Sequence, residues 1–257
     1  ETPAAALARL YDLDLADDPG DLDLYLAFAA RHGGPILELA VGSGRLAVPL
    51  ARAGYDVTGV DLDPAMLARA RAAADAAGPA VARRLRLVDG DARSVRLSDA
   101  GTYRLAFIPL NSMFLLGTRP DQAAAVATLA AHLAPGGTAV VDTWLPAADD
   151  LGRYDGRLVL EWVRTDPATG RLVTKSGAAS WDAAGGGVHL TTVVGGGAQG
   201  EPARRWVRED RMRLVGPADL EAMAAAAGLT VETLAGGYDL EPLGANAERV
   251  ILVARRP

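Results

Sequence analysis

Glu38, Gly42, Gly44, Asp61 and Asp91 are the residues whose types and spacing could do chemistry. Gly42 and Gly44 break the apolar run 36–40 just ahead of a helix-forming stretch. Such a turn lets a ligand approach the backbone closely and meet the free amides at the start of the following helix. Asp61 closes the next apolar run, about 20 residues on, where a carboxylate can accept hydrogen bonds from a ribose diol. Gly42-Ser43-Gly44-Arg45-Leu46-Ala47 satisfies only the loose dinucleotide fingerprint, so it admits any adenine nucleotide. Asp91, in Gly90-Asp91-Ala92-Arg93, either accepts from an adenine amino group, which would add base selectivity, or is a turn or capping aspartate. Glu38 is an odd residue to bury in a strand. Near the turn it can steady the loop amides or receive a ligand ammonium; otherwise it is an acid paired inside the fold.

Positioning these residues takes alternating strands and helices. Strands are expected over 36–40, 56–61, 85–89, 105–110 and 138–145, with helices beginning at Arg45, Pro64 and Pro120. That rhythm means right-handed crossovers and a mainly parallel sheet covered on both faces. Asp63 and Pro64 suit an N-cap and first helical position, while Pro135, Gly136 and Gly137 end a helix and turn the chain back into a strand. After Trp144 the pattern changes to RLVLEWVRT, RLVTKSGAASW, GVHLTTVV and RRWVREDRMRL, with glycine-rich turns at 183–187 and 195–197, as in an antiparallel sheet. A helix over 217–227 and strands over 229–234 and 249–254 follow, the two strands pairing antiparallel at the sheet edge. The expected organisation is an N-terminal helical lid (1–34), a nucleotide-binding α/β domain (35–146 and 215–257) and an antiparallel β insertion (147–214).

Composition narrows the classes. A chain of 257 residues, half of them apolar, can bury a full core. A formal charge of -6 argues against nucleic acid as a partner, which would take a basic face. The absence of cysteine excludes disulfides, thiolate nucleophiles and cysteine metal sites. His32, His132 and His189 lie too far apart for the helical pairing of zinc enzymes, so no metal is expected. No apolar run approaches the roughly 20 residues of a bilayer-spanning helix, and the first residues lack a basic stretch followed by an apolar core. No membrane partner and a cytoplasmic location are expected.

Through ELAVGSGRLAVPLARAGYDVTGVDLDPAMLARAR, VDGDAR, FIPLNSMFLL, LAPGGTAVVD and AGLTVETLAGGYD, the chain resembles the class I S-adenosylmethionine-dependent methyltransferases. It is most similar to the small-molecule subset that includes glycine and amino-sugar N-methyltransferases, where Asn-Ser follows the fourth strand and antiparallel strands follow the fifth. The resemblance implies a doubly wound α/β fold, a seven-stranded sheet with its last strand antiparallel, and S-adenosylmethionine as cofactor, left as S-adenosylhomocysteine. By it, Glu38, Ala40, Gly42 and Gly44 match the loop for the methionine part and Asp61 the ribose acid. Leu62 and Met66 match the apolar wall under the adenine, Asp91 and Ala92 the adenine edge, and Leu110 a carbonyl facing the methionine part. Tyr11 matches an N-terminal tyrosine that closes over the cofactor. Ala40, Val41 and Ser43 stand where Gly, Cys and Thr are commoner, which keeps side chains small near the ligand. Pro109-Leu110-Asn111-Ser112 is only superficially like the Asn-Pro-Pro-aromatic signature of nucleic-acid base methylation.

Methyl transfer from a sulfonium is an in-line displacement, so the enzyme must hold an acceptor lone pair behind the methyl carbon and exclude water. A neutral amine or a carboxylate needs no base for attack. A hydroxyl does, and His189, Asp142 and Tyr238 are the candidates, against plainer readings as a surface strand residue, a strand-end cap and loop packing. Asn111 and Ser112 could orient the acceptor or cap a helical turn. Trp144, with the tryptophans of the insertion, could line an acceptor pocket, fill a core or form a homodimer interface. The expected activity is methyl transfer to a small-molecule acceptor, with amine favoured over hydroxyl or carboxylate on the resemblance. An NAD-dependent oxidoreductase and a cofactor-binding protein without turnover are the alternatives.

Overall fold

The computed structural model describes residues 2–17, 19–167, 169–182, 187–197 and 204–257. These divide into two compact units, one from 19–145 with 215–257 and one from 1–18 with 146–214. The expected lid segment 1–34 is therefore shared: α1 (Pro3–Asp14) belongs with the second group and α2 (Leu22–His32) with the first.

The larger unit carries a seven-stranded sheet. Its parallel strands are β1 (Ile36–Leu39), β2 (Val57–Asp61), β3 (Leu85–Asp89), β4 (Tyr103–Ile108) and β5 (Leu133–Trp144). β1 is buried along its whole length, as a strand covered on both faces must be. Between the strands come α3 (Ala47–Arg52), α4 (Pro64–Ala76), α5 (Pro79–Arg84) and α6 (Arg119–His132), with a 3-10 turn at Ser112–Leu116. As expected, the Asp63 side chain accepts from the Ala65 amide, capping α4 with Pro64 in its first turn. Helix α3 begins at Ala47, two residues later than Arg45, because the glycine turn runs on through Leu46.

One expectation about these strands changes. β5 starts at Leu133, so 135–137 lie within the strand and do not precede it. The ladder with β4 steps from Tyr103↔Leu133 to Leu105↔Thr138, which leaves the intervening residues as a bulge. Gly137 suits it, since a Cβ there would lie 2.8 Å from the Tyr103 carbonyl. The last two strands pair antiparallel at the sheet edge, as expected. In the order β10-β11-β5-β4-β1-β2-β3, only β10 (Thr230–Ala235) is terminal, while β11 (Arg249–Arg255) sits antiparallel between β10 and β5. Buried on both sides, β11 reads as the continuous apolar run Val250 to Ala254. Helix α8 (Pro217–Ala226) precedes these strands, following the short α7 (Ala148–Gly152) of the other unit.

The smaller unit is a four-stranded antiparallel sheet, β6 (Val159–Thr165), β7 (Leu172–Asp182), β8 (Gly187–Gly197) and β9 (Arg204–Met212), in that order. Leu10 and Leu13 of α1 pack on Val173 and Val194, flanked by Trp162 and Trp206. Those two tryptophans thus serve a core. Lys175 bonds Asp14 at 2.5 Å and Glu161 at 2.8 Å, and Arg9 pairs with Asp166, tying α1 to the sheet. The turn expected at 195–197 is strand instead, for Gly195 pairs Thr174 and Arg205 and Gly196 pairs Val173 and Arg204. Of the turn expected at 183–187, residues 183–186 lie outside the described residues.

Candidate functional site

In the larger unit the chain runs from β1 outward through β2 and β3, then returns to lay β4 and β5 on the other side of β1. The point between β1 and β4 where the order reverses is where open α/β sheets hold ligands, beyond the carboxyl ends of the strands. Glu38 and the loop 40–44, Asp61, Asp91, Leu110 and Asp142 all stand at or near those carboxyl ends.

The loop after β1 is set by backbone conformation. Ala40, Gly42 and Gly44 have φ of 61°, 55° and 84°, all in the left-handed region. Gly42 leaves open space where a side chain would be, whereas a Cβ on Gly44 would press Ala70 and Val48 at 3.2 Å. Position 40 thus constrains φ as well as size, which its small side chain alone does not reveal. Asp61, at the end of β2, accepts from the Gly42 amide at 2.8 Å and from the Asp63 amide at 2.9 Å. One lone pair on each of its oxygens is left. Burial raises its pKa, opposed by those amides.

Glu38 is 2% exposed, and its Oε2 has no hydrogen-bond partner among the described residues. Burial pushes its carboxyl well above the usual carboxylate range, opposed by Arg45 and the Ala47 amide. Arg45 itself bonds Asp21 at 2.5 and 2.6 Å through both terminal nitrogens, and Asp21 is fully buried at the start of α2. That pair was missed by sequence reasoning, although an arginine directly after a glycine turn was a signal for it. Tyr25, its ring tilted 32° against that of Phe107 with centroids 4.3 Å apart, has a buried hydroxyl without a hydrogen-bond partner among the described residues.

On the base side the expected residues part company. Leu62 is 64% exposed while Met66 is buried on α4. Asp91 and Ala92 are half-buried in the turn after β3. The Asp91 carboxylate accepts from the Arg93 amide and from Nε and Nη2 of its guanidinium at 2.6–2.9 Å, and Arg93 holds its pKa below the usual range.

The turn after β4 is held by side chains. Leu110, at φ 52°, donates its amide to Asp142 Oδ2 at 3.1 Å. Asn111 precedes the 3-10 turn without capping it; its Oδ1 accepts from the Trp144 amide at 2.8 Å. Ser112 begins that turn and is half-buried, as is Trp144 at the end of β5. Asp142 is no strand-end cap, being fully buried inside β5. Arg249 Nε and Nη2 lie 2.9 and 2.8 Å from its Oδ1, and the Tyr238 hydroxyl donates to its Oδ2 at 3.2 Å. Burial raises the pKa of Asp142, opposed by Arg249; burial and then Asp142 raise that of Tyr238. Arg249 was overlooked in the sequence, yet β11 runs antiparallel, so its first residue must reach this edge, opposite Trp144.

His189 and Tyr11 lie in the smaller unit. His189 is exposed on β8, its Nε2 3.8 Å from Asp182, and Tyr11 is half-buried on α1. Among the described residues no group of acids and histidines could hold a metal ion, and no helix is long and apolar enough to cross a membrane.

Residues 36–137 match a family model described as a methyltransferase domain. Over 238 residues, 90% of this chain and 92% of the relative, the sequence is 29% identical to a dTDP-3-amino-3,4,6-trideoxy-alpha-D-glucopyranose N,N-dimethyltransferase of Streptomyces venezuelae. It is 28% identical over 240 residues, 90% of this chain and 88% of the relative, to a cypemycin N-terminal methyltransferase of a Streptomyces species. Among solved structures, the CcbJ methyltransferase of Streptomyces caelestis superposes with a TM-score of 0.74 at 26% identity, covering 95% of both chains.

Proposed function

We propose that this chain, a class I S-adenosylmethionine-dependent methyltransferase, transfers its methyl group to an amino group of a small molecule, with amino sugars the first class to test. The observation that carries the amine reading is the state of the candidate bases. Asp142 accepts three hydrogen bonds, from the Leu110 amide, the Tyr238 hydroxyl and Arg249 Nε, and its charge is met by Arg249, whose Nη2 lies 2.8 Å away, so the carboxylate is committed to the turn and its cation. Tyr238 spends its proton on Asp142 and is raised far from any basic role. An acceptor with its own lone pair needs neither. A carboxylate acceptor would meet three buried acids, Asp21, Glu38 and Asp142, against two arginines, Arg45 and Arg249. Two relatives matched over 90% of this chain support the reading, one named an N,N-dimethyltransferase of an amino-deoxy sugar nucleotide and the other an N-terminal methyltransferase.

The residues present fit the cofactor. An unpartnered, buried Glu38 Oε2 calls for an N–H donor, and an ammonium supplies one. Gly42 leaves the loop open to close approach, and Asp61 keeps an acceptor position on each oxygen for a diol. When bound, S-adenosylmethionine supplies a sulfonium methyl open to in-line displacement. Glu38 and the loop would hold its amino-acid end, Asp61 its ribose, and Met66 the wall beneath its base. Leu110, Asn111 and Ser112 would form the acceptor side. Asp91 would take the adenine edge only by sharing its carboxylate with Arg93.

Calorimetry should show binding of S-adenosylhomocysteine and none of NADH; the reverse would establish the oxidoreductase alternative. Asp61→Ala should weaken S-adenosylhomocysteine by about 1.5–3 kcal/mol, the worth of a hydrogen bond to a charged group. A panel of amino sugars, peptide amines, hydroxyls and carboxylates with labelled cofactor then reads the acceptor. Incorporation into hydroxyls or carboxylates alone would overturn the amine reading.

A further inference from the structure

We propose that Asp142, held by Arg249 and Tyr238, is a positioning residue for methyl transfer: it fixes the turn 109–111 that walls the β4 side of the ligand crevice. The inference rests on the methyltransferase reading above. Leu110 sits at φ 52°, a region that sterics disfavour for a bulky side chain. Such a residue persists where its surroundings over-determine it, and observed backbone outliers of this kind cluster at functional sites. Two bonds from the neighbouring strand hold this one. The Leu110 amide donates to Asp142 Oδ2 at 3.1 Å, and the Trp144 amide donates to Asn111 Oδ1 at 2.8 Å.

A buried carboxylate can anchor a turn only when its own charge is met. Arg249 meets it from the first residue of β11, and its guanidinium lies 4.9 Å over the ring of Tyr238, whose hydroxyl donates to the other carboxylate oxygen. Four parts of the chain, at 110, 142, 238 and 249, thus converge on a turn that no single one could fix. β10 and β5 run parallel with β11 antiparallel between them, so the loop after β10 and the start of β11 both arrive at the end of β5. Fully buried, ion-paired with Arg249 and bonded to Leu110 and Tyr238, Asp142 acts through the turn and not as a base. Displacing that turn would misplace the acceptor behind the methyl carbon, where about 1 Å is worth about 100-fold in rate. Groups that hold the cofactor on the β1 and β2 side would be spared.

The test uses the full chain with Asp142→Asn, Tyr238→Phe and, as a surface control, Arg84→Gln. Three quantities are measured: affinity for S-adenosylhomocysteine, kcat for the best amine of the panel across pH, and hydrogen exchange at the Leu110 and Trp144 amides, the two donors that tie the turn to β5. Asp142→Asn should lower kcat by about 30- to 100-fold while cofactor-product affinity stays within about 3-fold, speed exchange at both amides and leave the shape of the pH profile unchanged. Tyr238→Phe, which keeps the ring, should move kcat and exchange the same way by a smaller factor. An unchanged kcat in Asp142→Asn, or a loss that merely follows lost cofactor affinity, overturns the proposal. So does a pH profile that loses a limb, which would make Asp142 a base. If Asp142→Asn does not fold, Tyr238→Phe decides: protected amides with unchanged kcat overturn it. If the wild type methylates no amine, the amine reading fails, while exchange at Leu110 still decides whether the clamp holds the turn.

Discussion

The loop after β1 and the turn after β4 each hold a non-glycine residue in the left-handed region, Ala40 at φ 61° and Leu110 at φ 52°. Around Ala40 the constraint is local: small residues, two glycines and one bond from the Gly42 amide to Asp61. Around Leu110 it is long-range, drawn from Asp142, Tyr238 and Arg249. The difference separates two tasks. A cofactor common to many enzymes can be gripped by backbone that few side chains modify, while the wall facing a particular acceptor is set by side chains that can vary.

Arg249→Leu strikes the turn after β4 hardest, because it leaves the Asp142 charge buried without its cation. Denaturant unfolding should show a loss of about 3–5 kcal/mol, partly recovered when Asp142→Asn is added. A loss below about 1 kcal/mol would mean that the turn does not depend on the ion pair. On the other side, Gly59→Ala would place a Cβ 2.6 Å from Val41 Cγ2, beneath the β1 loop. It should cost about 1–3 kcal/mol and weaken S-adenosylhomocysteine, whereas a variant with full affinity would show that the loop tolerates displacement.

Glu38→Gln should divide stability from binding. Burial raises the folded pKa of Glu38, so the stability tied to its protonated form is present below the unfolded value of about 4.3 and lost as pH rises through the folded one. Glutamine stays neutral throughout. The variant should therefore melt above wild type near pH 8 by about 2–4 °C, show no gain near pH 4, and bind S-adenosylhomocysteine less well. An equal gain at both pH values would sever the effect from ionisation. The smallest change is expected for Ala40→Gly. Relief of about 1–2 kcal/mol of left-handed strain is offset by about 0.5–1 kcal/mol of added chain entropy in the unfolded state. Thermal unfolding should show a slight gain; a loss would mean that Ala40 is not strained.

Legibility followed the same division. Asp63 and Pro64 announced the start of α4, and the apolar runs gave the parallel strands, because capping and burial on both faces act over a few residues. Gly195 and Gly196 misled, reading as a turn where strands on both sides absorb them into a ladder. Asp142 and Tyr238 drew notice as titratable groups, but their bonding to each other could not be read from positions 96 residues apart. Arg249 drew none, standing as one charge ahead of an apolar strand.

By itself the sequence determined the glycine turn, the acid after β2 and the alternation of strands and helices, since each depends on backbone freedom, side-chain size or periodicity within a short stretch. Only the tertiary structure decided what Leu110, Asp142, Tyr238 and Arg249 do. Which side chains meet at a strand end depends on strand order and on the reversal of β11, and those are settled by packing of the whole sheet.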